Sequence, residues 1–286
     1  MKDVRTAVLF VVCSLVLLAG CGGGTPPAGN GAPATGGAKE DTLARIKKDG
    51  VLKWGADAEG GAPFVFRDKT DTNLIVGFEV EIMDKLAAHM GVKHERVQSE
   101  WGQLIPALLS RRSDIVVNGI EINDERKQAV GFSAPYYSYE QQLTVRAEDK
   151  DKYKTLADLK GHKVGTLSDA EANNVLKRAG FTEDQIVAHP DSTLPYTNLS
   201  NKRVDAVMQE NIIAAYYAAP KPELFNIPQT MNPGTYSVAT RLEDKTLLAE
   251  VDRILALMKE NGELAAIYKK WNIWTEKQKE LGIKEK

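Results

Sequence analysis

The sequence predicts an α/β fold made of two lobes, each with a parallel-type sheet flanked by helices. Short apolar runs typical of strands alternate with amphipathic segments typical of helices, and this alternation starts afresh after an extended stretch at residues 136–146. Two further helical segments near the end of the chain need a surface to pack on. Strands that alternate with helices form sheets that bind ligands at the carboxyl ends of their strands, so we expect a ligand cleft between the lobes.

The beginning of the chain is typical of an exported lipoprotein. Lys2 and Arg5 precede an uncharged, mostly apolar run over residues 7–18, which is too short to cross a bilayer comfortably. The run ends in Leu-Ala-Gly-Cys, which resembles a bacterial lipobox. We therefore predict a lipoprotein signal peptide over residues 1–20 and lipidation of Cys21. The alternative is an ordinary signal peptide with a chance cysteine.

The next segment and the overall charge limit the classes of function. Residues 21–40 are rich in glycine, proline and alanine, which predicts a flexible tether. The chain has 37 Lys and Arg against 39 Asp and Glu, so it lacks the basic surface typical of nucleic-acid binding. No segment after the signal is apolar enough to predict a membrane-spanning helix.

The first α/β unit begins near Asp41, which is a typical N-cap for the helix that Gly50 closes. Gly91 closes a second amphipathic helix, and Pro106 lies in the first turn of a third, where proline is tolerated. The predicted helices cover 41–50, 77–91 and 101–114, and the predicted strands cover 51–57, 92–99 and 115–120.

The second unit repeats this alternation. Its segments cover 155–167, 168–180, 184–190 and 194–218, and the two final helices fall within 247–274. These segments follow the extended stretch, so they predict a second sheet and not a continuation of the first.

The order of these segments is similar to that of one protein family. The segments are "VGFEVEIMDKLA", "WGQLIPALLSRRSDIVVNGI", "NDERKQAVGFSAPYY", "TLADLKGHKVGT", "RVDAVM" and "LAAIYKKW". Together they resemble the extracellular solute-binding proteins of family 3, the receptors of polar amino-acid ABC transporters, from about residue 41 to 274. The resemblance implies the type II periplasmic-binding fold with two hinge strands. Its implied ranges are 41–137 plus 236–286 for lobe 1, 142–232 for lobe 2, and 138–141 and 233–235 for the hinge.

Arg126 is the central candidate for ligand binding. A guanidinium is a rigid fork of donors that matches a carboxylate, and the resemblance implies that Arg126 holds the ligand's α-carboxylate. The alternative is an exposed arginine paired with Asp124, Glu125 or Glu121, which would contribute little.

Four further residues are expected on the lobe 1 side of the cleft. Trp101 opens a helix where the family often carries a side chain that packs on the ligand, although simple core packing is the alternative. Asp57 follows the first strand and matches a position that lines the cleft, although a turn aspartate is nearly as good an explanation. Asn118 and Gly119 come directly after the apolar run 115–117 of the third predicted strand and complete this side.

The remaining candidates depart from the family pattern. Glu121 stands where the family often has Ser or Thr, and Asp169, Ala170 and Glu171 replace a turn that offers backbone amides to the carboxylate. Glu210 stands where the family has an Asp for the ligand ammonium. The acids at 169 and 171 have an alternative role as the N-cap and first-turn charges of their helix.

The number of acidic candidates predicts the charge of the ligand. Grouped carboxylates in a cleft repel one another, and a cation would relieve that repulsion. We therefore expect a cationic amino acid or related amine, and a neutral one such as glutamine is the alternative.

An enzyme was the second class to weigh, because cyclohexadienyl dehydratases resemble this family. Glu171 or Glu121 would be the general acid, but Ala172 stands where the acid of those enzymes would lie, so we predict no catalysis. The four histidines have no cysteines or carboxylates at ligand spacing, which predicts no metal site, and no cofactor is expected. The predicted protein is a monomeric, membrane-anchored, extracytoplasmic receptor that works with an ABC permease.

Overall fold

The computed structural model describes residues 40–59 and 61–286. The predicted signal peptide, Cys21 and nearly all of the predicted tether lie outside the described residues. Within the described ranges, none of the helices combines the length and apolar character needed to cross a membrane.

The strands form two larger sheets and a short ribbon. They are β1 (Val51–Ala56), β2 (Phe66–Arg67), β3 (Ile75–Val76), β4 (Lys93–Gln98), β5 (Ile115–Val116), β6 (Val130–Phe132), β7 (Tyr137–Arg146), β8 (Val164–Leu167), β9 (Ile186–His189), β10 (Ala206–Glu210), β11 (Leu224–Tyr236) and β12 (Ala239–Arg241).

The helices cover the faces and edges of these sheets. They are α1 (Thr42–Asp49), α2 (Phe78–Met90), α3 (Leu104–Leu109), α4 (Asp124–Ala129), α5 (Glu171–Arg178), α6 (Leu194–Ser200), α7 (Asn211–Tyr217), α8 (Lys245–Glu260) and α9 (Glu263–Lys270).

The first sheet has the strand order β4-β1-β5-β12-β6. β1 pairs in parallel with β4 and β5, while β12 returns from the end of the second sheet and pairs antiparallel with β5 and β6. Helices α2, α8 and α9 pack together beside it and bury apolar side chains such as Phe78, Ile82 and Tyr268. Burying one such side chain contributes about 2 kcal/mol to folding.

The second sheet has the strand order β11-β7-β10-β8-β9. β8 pairs in parallel with β9 and β10, whereas the two long strands β7 and β11 are antiparallel to their neighbours. The α/β class and the alternation of elements are therefore confirmed. Each sheet is mixed: three strands pair in parallel (β4, β1 and β5 in the first, β9, β8 and β10 in the second), and the other strands pair antiparallel.

The predicted hinge segments 138–141 and 233–235 lie within β7 and β11. They pair with each other, with Tyr139 opposite Gly234, and Tyr136 N donates to Tyr236 O at 2.9 Å where the chain passes between sheets. The lobe ranges stay a prediction, because pairing does not measure a hinge motion.

The helix cap predicted at Asp41 agrees with the structure, whereas two predicted elements end earlier than expected. The Asp41 carboxylate caps α1 by accepting from Ala44 N at 2.9 Å, and Gly50 ends α1 with φ of 71°. The helix predicted over 101–114 is shorter, because a 3-10 turn precedes it and Arg111 turns the chain with φ of 63°. The strand predicted over 115–120 ends at Val116, because the chain turns away at Gly119 with φ of 62°.

Candidate functional site

A cavity lies where the strand ends of the two sheets face each other. The cavity volume is about 30 Å³, room for one or two water molecules and far below the roughly 300–1,000 Å³ of small-molecule sites, so its own side chains nearly fill it in this conformation. Its walls combine carboxylates with aromatic rings. The lining residues are Asp57, Gly61, Phe64, Trp101, Asn118, Gly119, Glu121, Leu167, Pro190, Asp191, Ser192, Glu210, Ile213 and Tyr236.

Asp57 follows β1 and organises the wall of the cavity from within the protein. Its Oδ1 accepts from Gln98 Nε2 at 2.9 Å and from Glu59 N at 3.0 Å, and its Oδ2 accepts from Trp101 N at 3.1 Å. Its own amide donates to Asn118 Oδ1 at 2.8 Å. Three internal donors already satisfy this carboxylate, so its geometry favours holding the loops together over contacting a ligand.

The turn at Asn118 and Gly119 rests on a buried carboxyl group. Gly119 N donates to Glu79 Oε1 at 2.7 Å, and the Tyr136 hydroxyl donates to the same oxygen. Glu79 is fully buried, and this burial raises the pKa of its carboxyl group to about 7 despite those hydrogen bonds. A Cβ at Gly119 would lie 2.9 Å from the Phe64 ring, so only glycine fits this turn.

Arg126 lies beside the cavity, in α4, and lines the open groove next to it. Its Nη1 donates to Glu121 Oε2 at 2.5 Å and to Glu121 O at 3.1 Å, and its Nη2 donates to Asp169 O at 2.6 Å. Of the three acidic partners considered from the sequence, Asp124, Glu125 and Glu121, it is Glu121 that pairs with Arg126, but the pair is buried and not exposed. The side chain of Glu121 is 1% exposed and that of Arg126 is 13% exposed.

The start of α5 faces this pair from the second sheet. Ala170 is the N-cap residue, so the acidic N-cap considered from the sequence is wrong, while Glu171 does lie in the first turn. Asp169 has a left-handed backbone with φ of 56°, which directs its carbonyl oxygen to the guanidinium of Arg126. The Glu171 amide donates to Glu121 Oε1 at 3.0 Å. The first amide of the helix thus serves a carboxylate of the protein itself.

The Glu171 carboxylate turns away from the Glu121 pair. Its Oε1 accepts from Arg178 Nη2 at 2.5 Å, and its Oε2 accepts from Asn174 Nδ2 at 3.3 Å. Both partners belong to α5. Of the three candidates in this turn, Asp169 and Glu171 contact Arg126 and Glu121 through backbone atoms only. The side chain of the third candidate, Ala170, is buried.

Trp101 connects the two sheets and covers the arginine. Its Nε1 donates to Ser168 O at 3.0 Å, and its ring lies 5.4 Å from Arg126 Cζ, within range of a cation–π contact. The residue is half-buried and lines the cavity. Its side chain also packs against the buried apolar cluster that includes Leu104 and Leu108, so it belongs to the core as well as to the cavity wall.

Glu210 ends β10 and closes the cavity from the second sheet. It is 3% exposed, and its Oε2 has no hydrogen-bond partner among the described residues. Burial, followed by the charge of nearby Glu121, raises the pKa of Glu210 well above its usual value. The Tyr236 hydroxyl, also buried in the cavity wall, likewise lacks a partner within the described ranges. These two buried groups in the cavity wall could each accept or donate one more hydrogen bond.

Several lining residues were missed from the sequence. Asp191 and Ser192 follow β9, and the rule that sites gather at the carboxyl ends of parallel strands would have found them. Phe64 and Tyr236 carry no such signal, because each reaches the cavity through the packing of segments far apart in the chain.

Metal binding has no support in the part of the chain that the structure describes. Within residues 40–59 and 61–286, no group of three histidine, cysteine or acidic side chains lies close enough to hold a metal ion.

Comparison with known proteins gives consistent matches over the whole described body. The family model for bacterial extracellular solute-binding proteins, family 3, matches residues 52–273. The L-cystine-binding protein of Escherichia coli K12 is 30% identical over 235 residues, which cover 82% of this chain and 87% of that protein. The ABC transporter arginine-binding protein 1 of the same organism is 29% identical over 205 residues, covering 70% and 82%.

Solved structures match equally well. The crystal structure of an ancestral amino acid-binding protein, a precursor of cyclohexadienyl dehydratase, has 31% sequence identity and a TM-score of 0.74, covering 80% of this chain and 99% of that one. The structural neighbours are type II periplasmic-binding proteins, so the predicted fold is confirmed.

Proposed function

The chain belongs to the bacterial extracellular solute-binding proteins of family 3, and from this membership we propose that it is the receptor of an ABC importer for a small cationic amino acid or amine. The solute binds in the cavity between the two sheets, and the receptor delivers it to the permease. The named relatives are binding proteins for amino acids, which supports the general class.

The observation that carries this proposal is a set of three hydrogen bonds that join the two sides of the cavity. Arg126 donates to Asp169 O, Trp101 donates to Ser168 O, and the Glu171 amide donates to Glu121. Each hydrogen bond joins a residue on the side of the first sheet to residues 168–171, at the start of α5. Such contacts stabilise a closed state around a solute and break when the lobes separate.

The charge of the cavity wall supports a cation. Glu210 is buried with one oxygen unpartnered, and Glu121 lies beside it. Burial and the charge of Glu121 raise the pKa of this carboxyl group and so favour its protonated form without a ligand, whereas an ammonium group at hydrogen-bond distance would favour its ionised form. The rings of Phe64, Trp101 and Tyr236 supply apolar and cation–π contacts around such a group.

The dehydratase alternative receives less support from the site. The Glu171 carboxylate, one of the two candidate acids, is held by Arg178 and Asn174 and faces away from the Glu121 pair. Glu121, the other, is held by Arg126. Incubating the protein with prephenate tests this point, and steady formation of phenylpyruvate would favour the enzyme.

We also propose that lipid on Cys21 anchors the receptor on the outer side of a membrane. The Leu-Ala-Gly-Cys segment and its position after an apolar run support this. Cys21→Ala should lose incorporation of labelled fatty acid and appear in the soluble fraction. Equal membrane retention of the variant would contradict the anchor.

A thermal-shift screen of the purified chain tests the proposed function. Cationic amino acids and amines should raise the melting temperature, while aspartate and glutamate should not. Glu210→Gln should weaken the response at least ten-fold in ligand concentration, and Glu183→Gln, which removes an exposed carboxylate, should not. Stabilisation by acidic solutes alone would overturn the proposal.

A further inference from the structure

Glu121 occupies an anion-binding position with its own carboxylate. One oxygen accepts from the Arg126 guanidinium at 2.5 Å, and the other accepts from the Glu171 amide at 3.0 Å. A guanidinium and the first amide of a helix are the two kinds of donor that proteins use to hold a bound carboxylate or phosphate. In this protein, the anion that the guanidinium and the helix amide both bind is the carboxylate of Glu121.

The arginine makes two further hydrogen bonds, both to backbone oxygens. Arg126 Nη1 donates a second hydrogen bond to Glu121 O at 3.1 Å, and Nη2 donates to Asp169 O at 2.6 Å. The ring of Trp101 covers the guanidinium. A ligand carboxylate could reach this position only by displacing the side chain of Glu121.

Displacement would leave the charge of Glu121 without its partner beside another buried carboxyl group. Glu121 is 1% exposed, so it cannot move its charge into water without opening the cavity, and Glu210 next to it is 3% exposed. A ligand carboxylate would be a third carboxyl group facing a single guanidinium. Like charges this close in a buried site repel strongly, and removing the partner of a buried charge is costly.

A cation without a carboxylate meets no such obstacle. The Glu210 oxygen that lacks a partner, together with the free Tyr236 hydroxyl, offers acceptors for an ammonium or guanidinium group. Phe64 and Trp101 provide rings beside them. These groups are all available while the ion pair of Glu121 and Arg126 stays intact.

We infer that the solute is an organic cation that lacks a carboxylate, and that Glu121 takes the place of the carboxylate that an amino acid would bring. The inference rests on the proposed function and specifies its substrate class as an amine, including the amide or decarboxylated form of a basic amino acid. Glu210 binds the ammonium group, and Glu121 holds Arg126 and α5 in the closed arrangement around the bound solute.

Matched pairs of ligands test this inference by isothermal titration calorimetry on the full chain. The pairs are arginine with agmatine and argininamide, and lysine with cadaverine and lysinamide. The wild-type protein should bind at least one carboxylate-free member ten-fold or more tighter than the corresponding amino acid. Tighter binding of the amino acid in every pair would overturn the inference.

Glu121→Ser should change this preference, because it frees the guanidinium and the helix amide for a ligand carboxylate. The ratio of affinities should shift by at least ten-fold toward the amino acid. Asp124→Ser is the matched control, since it removes an exposed carboxylate from α4 and should leave the ratio unchanged. Glu121→Gln keeps the shape of the side chain and should shift the ratio in the same direction if the serine variant fails to fold.

Other results separate the inference from the proposed function. An unchanged ratio in both Glu121 variants would overturn the inference but leave a cation receptor. Gain of amino-acid binding by Glu121→Ser, with no amine bound by the wild-type protein, would also overturn the substrate class. If no cation of either kind binds any variant, the proposed function fails, and this inference fails with it.

Discussion

Replacing Glu79 by Gln should make the protein more stable at neutral pH than the wild-type protein. Glu79 is fully buried beneath the Asn118–Gly119 turn, and its pKa is raised from the usual 4.5 to about 7, chiefly because burial disfavours the charged form. Glutamine has the same shape, keeps an oxygen for Gly119 N and the Tyr136 hydroxyl, and carries no charge.

The size of the effect follows from the two pKa values. Below pH 4.5 the carboxyl group is protonated in the folded and unfolded chains alike, so it makes no difference to stability. Between about pH 4.5 and pH 7 the unfolded chain releases its proton while the folded chain keeps it, so stability falls as pH rises. Above pH 7 the accumulated loss is about 3 kcal/mol, an amount that Glu79→Gln avoids.

Urea unfolding at several values between pH 4 and pH 8 measures this difference. The free energies of unfolding of the two proteins should be similar near pH 4 and should diverge by about 3 kcal/mol near pH 8, with the variant above. Glu95→Gln is the control, because it removes an exposed carboxylate and should follow the wild-type curve. A constant difference between Glu79→Gln and the wild-type protein across this range would refute the argument.

Three further predictions concern the cavity. Arg126→Ala should lower the free energy of unfolding by about 3 kcal/mol in urea titrations, because it removes the ion-pair partner of the buried Glu121 carboxylate. Arg178→Ala removes an exposed partner of Glu171 and should cost less than about 1 kcal/mol. Equal costs would contradict the buried pair. Gly119→Ala should destabilise the folded protein by about 2 kcal/mol more than Gly91→Ala, because both glycines have positive φ but only a Cβ at position 119 would contact an aromatic ring. Similar melting temperatures of the two variants would argue against that contact. Cation binding should release protons, because burial and the nearby charge of Glu121 raise the pKa of Glu210 and a bound cation lowers it again, so affinity should rise with pH. Calorimetry in buffers of different ionisation enthalpy measures this release, which Glu210→Gln should abolish.

The local pattern of the sequence determined most of the fold. The helical spacing of apolar residues, the Asp41 cap and the terminal Gly50 and Gly91 predicted where helices begin and end, because these features act between residues within a few positions of one another. The alternation of strands and helices predicted two sheets with sites at their strand ends. Six of the predicted site residues, including Trp101 and Glu210, line the cavity.

The tertiary structure alone decided what these site residues do. Glu121 meets the amide of Glu171, and Arg126 meets the carbonyl of Asp169, across 50 and 43 positions in the chain. Such contacts depend on how β7 and β11 carry the second sheet against the first, which periodicity does not encode. The same packing buries Glu210 without a partner for its Oε2 among the described residues. A charge's partner and its exposure to water are set by residues distant in sequence, so only the tertiary structure showed that Glu121 is paired and that Glu210 is buried.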